Sequence, residues 1–257
     1  DPLADEEYKQ SNSVSCYDAT SDELWVAWED LRNILQGVDI YASQYNSDGV
    51  VIDDIPVATE SFDQVQLSMS RALDNSGRVM VAWASFENSL QYDIWTRDVN
   101  SEIPAEHLTN LTSNETDPSI QVISQDRYII SWTDSRAGIH SDVYFYDSKE
   151  GEMANTPNGI PVGATILNQT NSKIIPFADN DVNAPKYLIF WEDRRASGKS
   201  ELTNLYAQAY FDPTIVGVED QTKRPETFIV EPAYPNPFNG RVSITVAVDQ
   251  AQKIQLE

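Results

Sequence analysis

Short runs of β-branched and aromatic residues recur along the chain, and each run ends on a tryptophan. The runs occupy residues 24–28, 79–83, 128–132 and 187–191. No stretch between them carries the apolar stripe of 3.6-residue period that marks an amphipathic helix. Runs of this composition are typical of buried or half-buried strands, so the pattern predicts an all-β protein.

The four tryptophans define an internal repeat. Trp28, Trp83, Trp132 and Trp191 are 55, 49 and 59 residues apart. Other strand candidates precede the runs at residues 13–17, 65–70, 119–123 and 174–177, and follow them at residues 39–44, 93–95, 142–144 and 204–208. Residues 52–57 and 160–162 can add a fourth strand to their units. A period of about 54 residues is too long for helical hairpins and fits a four-stranded blade.

The repeat predicts a β-propeller of about four-stranded blades with at least four units, because one blade cannot bury its apolar faces alone. The units lie near residues 10–57, 62–110, 117–165 and 172–217, within a repeat region of residues 1–217. Either four units close a small propeller, or further blades precede residue 1. We favour the second alternative.

A Trp-x-Asp-x-Arg motif closes the second strand of three units. We interpret its residues as structural: the indole packs between blades with its N–H bonded to backbone, and the Asp and Arg pair in the loop. The alternative is a ring of equivalent binding pockets, one per blade. The motif residues are Trp28, Asp30 and Arg32; Trp132, Asp134 and Arg136; and Trp191, Asp193 and Arg195, whereas the second unit keeps Trp83 and departs from the motif at residues 84–87.

These motifs, followed by Asp-Ile-Tyr-like strands, resemble extracellular bacterial β-propeller repeats over residues 10–211. The resemblance implies a secreted protein that acts through its blade loops. It does not name a ligand.

Composition narrows the function classes. The chain of 257 residues is 40% hydrophobic, enough for a sizeable core, and has a net charge of −24. Such a surface repels phosphate backbones and anionic lipids, which argues against nucleic-acid and membrane-surface binding. Cys16, the single cysteine, has no partner for an internal disulfide. No apolar run approaches the roughly 20 residues of a transmembrane helix.

The C-terminal segment differs from the repeats. Residues 218–227 are polar and aperiodic, as in a linker, and residues 228–257 begin a further β-rich segment. The latter resembles the start of the C-terminal sorting domain of the type IX secretion system. This resemblance implies that the segment begins a small β-sandwich, and that the protein is exported to the outer surface of a Gram-negative bacterium with that machinery as a partner. The alternative is a proline-rich turn before an unrelated strand pair. The sorting motif is Tyr234, Pro235, Asn236, Pro237, Phe238 and Asn239.

Two groups of residues are candidates for ligand binding. Phe86, Tyr92 and Trp95 surround the loop of the second unit and could stack on sugar faces. The alternative is that Trp95 fills the structural position of an aromatic residue in the other units. Arg194 and Arg195 form a basic spot that could meet an anionic glycan, or simply a solubilising loop.

One segment carries the oxygen ligands of a possible Ca²⁺ site. Asp179, Asp181 and Asn183 alternate as in the opening of a calcium loop. Ala184 replaces the glycine of an EF-hand and no Glu stands at the twelfth position, so a looser site or a solvated acidic loop are the alternatives. His107 and His140 lie in different units with no second metal ligand nearby in sequence, and we expect both to be loop residues.

No catalytic motif is present, and whether the protein is an enzyme stays open. We predict a secreted or cell-surface binding module for extracellular polysaccharide or protein. The alternatives are a propeller-type polysaccharide-degrading enzyme, a hydrolase or a lyase, and an accessory domain of a larger enzyme. A pair of carboxylates facing the central funnel would favour an enzyme.

Overall fold

The computed structural model describes residues 9–18, 21–33, 35–87, 91–149, 155–156, 158–162, 167–177, 186–194, 203–211, 228–230 and 246–248. The chain forms two compact units, Asp1–Asp212 and Pro213–Glu257. Every regular element of the described residues is a strand. Among these residues there is no helix of the length and apolarity needed to cross a membrane.

The first unit contains four antiparallel sheets in chain order. Sheet 1 is β1 (Gln10–Asp18), β2 (Glu23–Asp30), β3 (Asp39–Asn46) and β4 (Gly49–Ala58). Sheet 2 is β5 (Gln64–Arg71), β6 (Val79–Glu87), β7 (Gln91–Asp98) and β8 (Glu106–His107). Sheet 3 is β9 (Glu115–Ser124), β10 (Arg127–Asp134), β11 (Asp142–Asp147) and β12 (Ile160–Pro161). Sheet 4 has three described strands, β13 (Gln169–Pro176), β14 (Lys186–Asp193) and β15 (Asn204–Phe211).

Successive sheets bury a shared apolar core. Ile40 of sheet 1 packs in one cluster with Trp83 of sheet 2, and Ile94 of sheet 2 packs in the next cluster with Trp132 of sheet 3. Trp191 of sheet 4 belongs to the third cluster, with residues of sheet 3. The first strands of neighbouring sheets also contact each other, from β1 to β5, β5 to β9 and β9 to β13. Sheets stacked in this way are the blades of a β-propeller, which confirms the predicted fold class.

The outer face of sheet 4 differs from the equivalent faces of the other sheets. Leu205 is the second residue of β15. Ile40, Ile94 and Val143 hold the equivalent position in β3, β7 and β11, each directly after an aspartate. Those three side chains are fully buried, whereas Leu205 is 67% exposed. The same repeat position is therefore core in three sheets and surface in the fourth.

Each first strand contains a β-bulge at an equivalent place. The pairing register shifts at residues 11–14 of β1, 65–68 of β5, 116–119 of β9 and 170–173 of β13. One residue in every bulge has a positive φ, namely Asn12 (50°), Gln66 (60°), Asp117 (52°) and Asn171 (54°). Asn and Asp adopt this conformation more readily than other residues with a side chain. The bulges turn these polar positions out of the regular pleat.

The second unit has one described strand pair. β16 (Phe228–Val230) pairs antiparallel with β17 (Val246–Val248). The predicted linker and the six residues of the sorting motif lie outside the described residues, so the sorting domain stays a prediction.

Candidate functional site

The bulges of the four first strands line one open cavity of about 340 Å³. This volume lies at the lower end of the range of ligand pockets, roughly 300–1,000 Å³. The lining residues are Asn12, Ser13, Val14, Gln66, Leu67, Asp117, Pro118 and Lys173. Every sheet of the first unit thus contributes to a single site.

Hydrogen bonds between sheets hold the bulges in place. Glu29, a buried residue of β2, accepts from Nδ2 of Asn12 at 2.7 Å and from the backbone N–H of Gln66 at 2.8 Å. The side-chain oxygen of Gln66 in turn accepts from the backbone N–H of Asp117 at 3.1 Å. Because these bonds fix the backbone, the cavity wall is formed before any ligand arrives.

Asp117 and Lys173 provide opposite charges in the cavity. Burial raises the pKa of Asp117, and the nearby ammonium group of Lys173 partly offsets that rise. Lys173 is exposed and forms no ion pair with any residue that the structure describes. Asp117 is the one carboxylate among the lining residues, so the carboxylate pair expected of a glycoside hydrolase is absent from this described wall.

The Trp-x-Asp-x-Arg residues form a compact cluster at the end of the second strand. In sheet 3, Nε1 of Trp132 donates to Oδ2 of Asp134 at 3.1 Å, and the backbone N–H of Arg136 donates to Oδ1 at 2.8 Å. The guanidinium of Arg136 also pairs with Asp134 and lies 3.8 Å from the ring centre of Tyr144. The expected indole-to-backbone bond is therefore wrong, because the carboxylate two residues further along the chain accepts the hydrogen bond of the indole instead.

The same contacts recur in sheet 1 and in part in sheet 4. Trp28 donates to Asp30 at 2.9 Å, and Arg32 pairs with Asp30 at 2.8 Å. Burial acts to raise the pKa of Asp30, but hydrogen bonds from Arg32 and Trp28 outweigh it, and the pKa is lowered. Trp191 donates to Asp193 at 3.1 Å, while Arg195 lies outside the described residues.

Sheet 2 lacks the acceptor of this cluster. Ser85 stands where the other sheets have aspartate, and the buried Nε1 of Trp83 has no hydrogen-bond partner in the described structure. Trp95 lies opposite Trp83 in the strand register, as Tyr144 lies opposite Trp132. Trp95 thus occupies the structural position that the alternative interpretation gave it.

The three aromatic candidates of sheet 2 do not form one surface. Phe86 and Tyr92 are a cross-strand pair with ring centres 4.9 Å apart, and Tyr92 packs toward sheet 3. Trp95 packs toward sheet 1 and stacks on His107 at 4.4 Å. The two groups lie on opposite faces of the sheet, so they cannot bind one sugar ring together.

The structure places His140 in a loop, as expected, whereas His107 lies on a short strand. His107 lies on β8, and its Nε2 is 3.0 Å from Oδ2 of Asp93. His140 places its Nε2 3.5 Å from Asp142. His107 and Asp93 are 14 residues apart in the chain and meet because β8 pairs with β7, whereas His140 lies two residues before Asp142.

The remaining predicted sites are only partly described. Asp179, Asp181 and Asn183, the Ca²⁺ candidates, lie outside the described residues. Where the structure is described, no three His, Cys, Asp or Glu side chains gather as metal ligands. Arg194 is described, and its backbone N–H donates to the carbonyl of Asn168 at 3.2 Å.

Comparison with known proteins places the chain among solved structures only distantly. No protein-family model matches it, and no curated protein matches it. It resembles an α-L-arabinofuranosidase from Lactobacillus brevis at a TM-score of 0.48 and 7% identity, over 78% of this chain and 72% of that one. It also resembles an N-acetylgalactosamine deacetylase from F. plautii, solved with blood group B trisaccharide, at a TM-score of 0.46 and 10% identity, over 79% of this chain and 72% of that one. A third similar structure is an endo-1,4-beta-xylanase from Bacteroides thetaiotaomicron, with a TM-score of 0.42 and 9% identity over 91% of this chain and 74% of that one. At such low scores these likenesses carry no argument about activity, and the fold rests on the sheets themselves.

Proposed function

We propose that the protein is a carbohydrate-binding module and that the cavity between the four first strands holds a sugar unit of an extracellular polysaccharide. The observation that supports this best is the mixed lining of the cavity. Asn12, Gln66, Asp117 and Lys173 offer groups that bond to hydroxyls. Apolar atoms of the lining come from Val14, Leu67 and Pro118. A sugar ring presents the complementary surface, with hydroxyls at its rim and C–H groups on its faces.

Several polar atoms of the cavity remain available for a ligand. Asn12 uses its amide N–H toward Glu29, and Gln66 uses its amide oxygen toward Asp117. The amide oxygen of Asn12 and the amide nitrogen of Gln66 have no bond to a described residue. Together with Asp117 and Lys173 they give two acceptors and two donors around one opening.

A panel of neutral and anionic polysaccharides tests this proposal. Retention of the full chain on the solid polysaccharide and release of reducing ends into solution are measured together. We expect retention without release, and we expect Asp117→Asn and Lys173→Met each to weaken retention about tenfold, the loss of a charged hydrogen bond. The control is Asp126→Asn, an exposed carboxylate in a turn away from the cavity.

Three results would overturn the proposal. Release of reducing ends that Asp117→Asn abolishes would make the protein an enzyme. Retention that neither cavity variant weakens would place the binding site elsewhere on the protein. No retention on any polysaccharide would leave a protein ligand as the better explanation.

The C-terminal segment supports a second proposal, about location. We propose that residues 228–257 act as a type IX sorting signal, on the strength of the motif at residues 234–239 and the strand pair of β16 and β17. The full chain and its Pro235→Ala/Pro237→Ala variant would be expressed in bacteria with and without this machinery. We expect surface or medium fractions to contain only the unaltered chain, and only when the machinery is present.

A further inference from the structure

One position of the repeat carries a different chemical group in sheet 3. The first residue of the first strand is Gln10 in sheet 1, Gln64 in sheet 2 and Gln169 in sheet 4. In sheet 3 it is Glu115. In sheets 1, 3 and 4 this residue pairs in register with the aspartate that ends the second strand, which is Asp134 for Glu115. In sheet 2, Gln64 pairs with Ser85, which stands in the place of that aspartate.

The glutamines show what this position does. Nε2 of Gln169 donates to Oδ2 of Asp193 at 2.9 Å, and its Oε1 accepts from the backbone N–H of Val143 in sheet 3 at 3.2 Å. Gln10 donates to Asp30 in the same way at 3.3 Å. In sheets 1 and 4 the amide is thus a donor to a carboxylate, and in sheet 2, which lacks that aspartate, Gln64 donates instead to the carbonyls of Glu60 and Phe62. A glutamate can donate only when it is protonated.

Glu115 lies among carboxylates and has no cation beside it among the described residues. Its side chain is fully buried, and Ser113 donates to its Oε1 at 2.6 Å. It faces Asp93 of β7 and Asp134 of β10. Asp134 is already paired with Arg136, and Asp93 contacts His107 through Oδ2.

Two buried oxygens at this place have no donor. They are Oε2 of Glu115 and Oδ1 of Asp93, both without any hydrogen-bond partner. Two ionised carboxylates in contact would repel each other in a site from which water is excluded. A single proton between them removes the repulsion and satisfies both oxygens.

We propose that Glu115 is protonated at neutral pH and donates to Oδ1 of Asp93, so that one proton shared by the two carboxyl groups links sheets 2 and 3. This inference does not depend on what the cavity binds. Burial is the main cause that raises the pKa of Glu115, to about 8, and the interactions with Asp93 and Asp134 act in the same direction. The hydrogen bond from Ser113 opposes them.

The sign of the pH dependence follows from this proton. Glu115 has a higher pKa in the folded chain than its ordinary value of 4.5, so the folded state holds a proton that the unfolded state has lost. The stabilisation is complete below pH 4.5 and declines as the pH rises to about 8, where the folded protein also loses the proton. Above that pH two carboxylates face each other across the interface.

Urea unfolding of the full chain from pH 5 to pH 9.5 tests the proposal. We compare the parent with Glu115→Gln, which restores the residue of the other sheets, and with Glu102→Gln, an exposed control. The ratio of the unfolding constants of parent and Glu115→Gln is expected to rise by up to about tenfold per pH unit and to level off above about pH 8. Glu102→Gln should follow the parent at every pH. The reciprocal variant Gln169→Glu should transfer the same dependence to sheet 4.

Two outcomes would overturn the shared proton. Parallel pH profiles for the parent and Glu115→Gln would show that Glu115 is ionised throughout. If the pH dependence of the parent's stability disappears when CaCl₂ is added and reappears when a chelator is added, the two carboxylates hold a metal ion instead of a proton. An infrared band of a protonated carboxyl at pH 7, absent from Glu115→Gln, would support the proposal independently of stability.

Discussion

Trp132 and Asp134 are joined by a hydrogen bond of 3.1 Å from the indole nitrogen to the carboxylate two residues further on. The geometry recurs between Trp28 and Asp30. At Trp83 the serine in the aspartate's place leaves the indole N–H without a partner in the described structure. The protein therefore contains equivalent buried tryptophans of which some have a hydrogen-bond acceptor for the indole N–H and one does not.

This difference predicts unequal effects of removing the indole N–H. Trp132→Phe should lower the free energy of unfolding by about 1.5–3 kcal/mol more than Trp83→Phe, since only the former loses a hydrogen bond to a charged group. Both substitutions remove a similar apolar volume. Urea unfolding followed by circular dichroism measures the two values, and equal losses would show that the indole bond adds nothing to stability.

Gly159 makes a close approach to Trp132 that no larger residue can match. A Cβ built there would lie 2.4 Å from Cη2 of Trp132 and 2.6 Å from the carbonyl oxygen of Phe145, at a φ of +66°. Gly159→Ala should cost at least about 3 kcal/mol, from overpacking added to backbone strain. Gly138→Ala, at a φ of +86° with no atom within 4 Å, should cost only the strain, about 1 kcal/mol. Similar losses in thermal unfolding would contradict the steric contact.

Val143 and Leu205 offer a matched pair at one repeat position. Val143 is fully buried and Leu205 is 67% exposed. Val143→Ala should destabilise the protein by about 2 kcal/mol through a lost packing contact, whereas Leu205→Ala should change stability by less than about 0.5 kcal/mol. Denaturation midpoints compare them directly. A large loss for Leu205→Ala would mean that the outer face of sheet 4 is covered in solution.

Cys16 should react slowly in the folded protein. Burial raises the pKa of its thiol to about 12, and although Arg71 lowers it, Asp18 raises it further. Because the thiolate is the reactive form, labelling by a disulfide reagent at pH 8 should be at least about a hundredfold slower than in urea. Equal rates in buffer and in urea would show that the thiol is ionised and accessible in the fold.

The sequence predicted the second strands well and located all four first strands, but in three of these it missed the residues at the start of the strand. The run at residues 128–132 became part of β10, whose buried aliphatic and aromatic residues carry a clear signal. The predicted first strand of the same unit began at residue 119, whereas β9 begins at Glu115. The bulge at Asp117 and Pro118 interrupts the alternation there, and a pattern of period two cannot continue through it.

The cavity could not be read from the sequence for a related reason. Three of its polar residues, Asn12, Gln66 and Asp117, stand at bulges and precede the tryptophan of their units by 16, 17 and 15 residues, and the fourth, Lys173, precedes Trp191 by 18. Because the hairpins differ in length, aligning the units on tryptophan puts these residues out of register. The stacking of the sheets brings Asp117 and Lys173 together, and no short motif contains both.

The bulges also couple the surface presented to a ligand to the contacts that hold the sheets together. Val14 and Leu67 line the cavity and pack against the core cluster of sheets 1 and 2, and the side-chain oxygen of Gln66 accepts a hydrogen bond from the backbone of Asp117. A change of side chain at residue 66 therefore alters the cavity and removes a bond between sheets 2 and 3. Lys173 forms no ion pair with a described residue, so its side chain can be varied without loss of such a contact, which makes position 173 the natural first site for a combinatorial library.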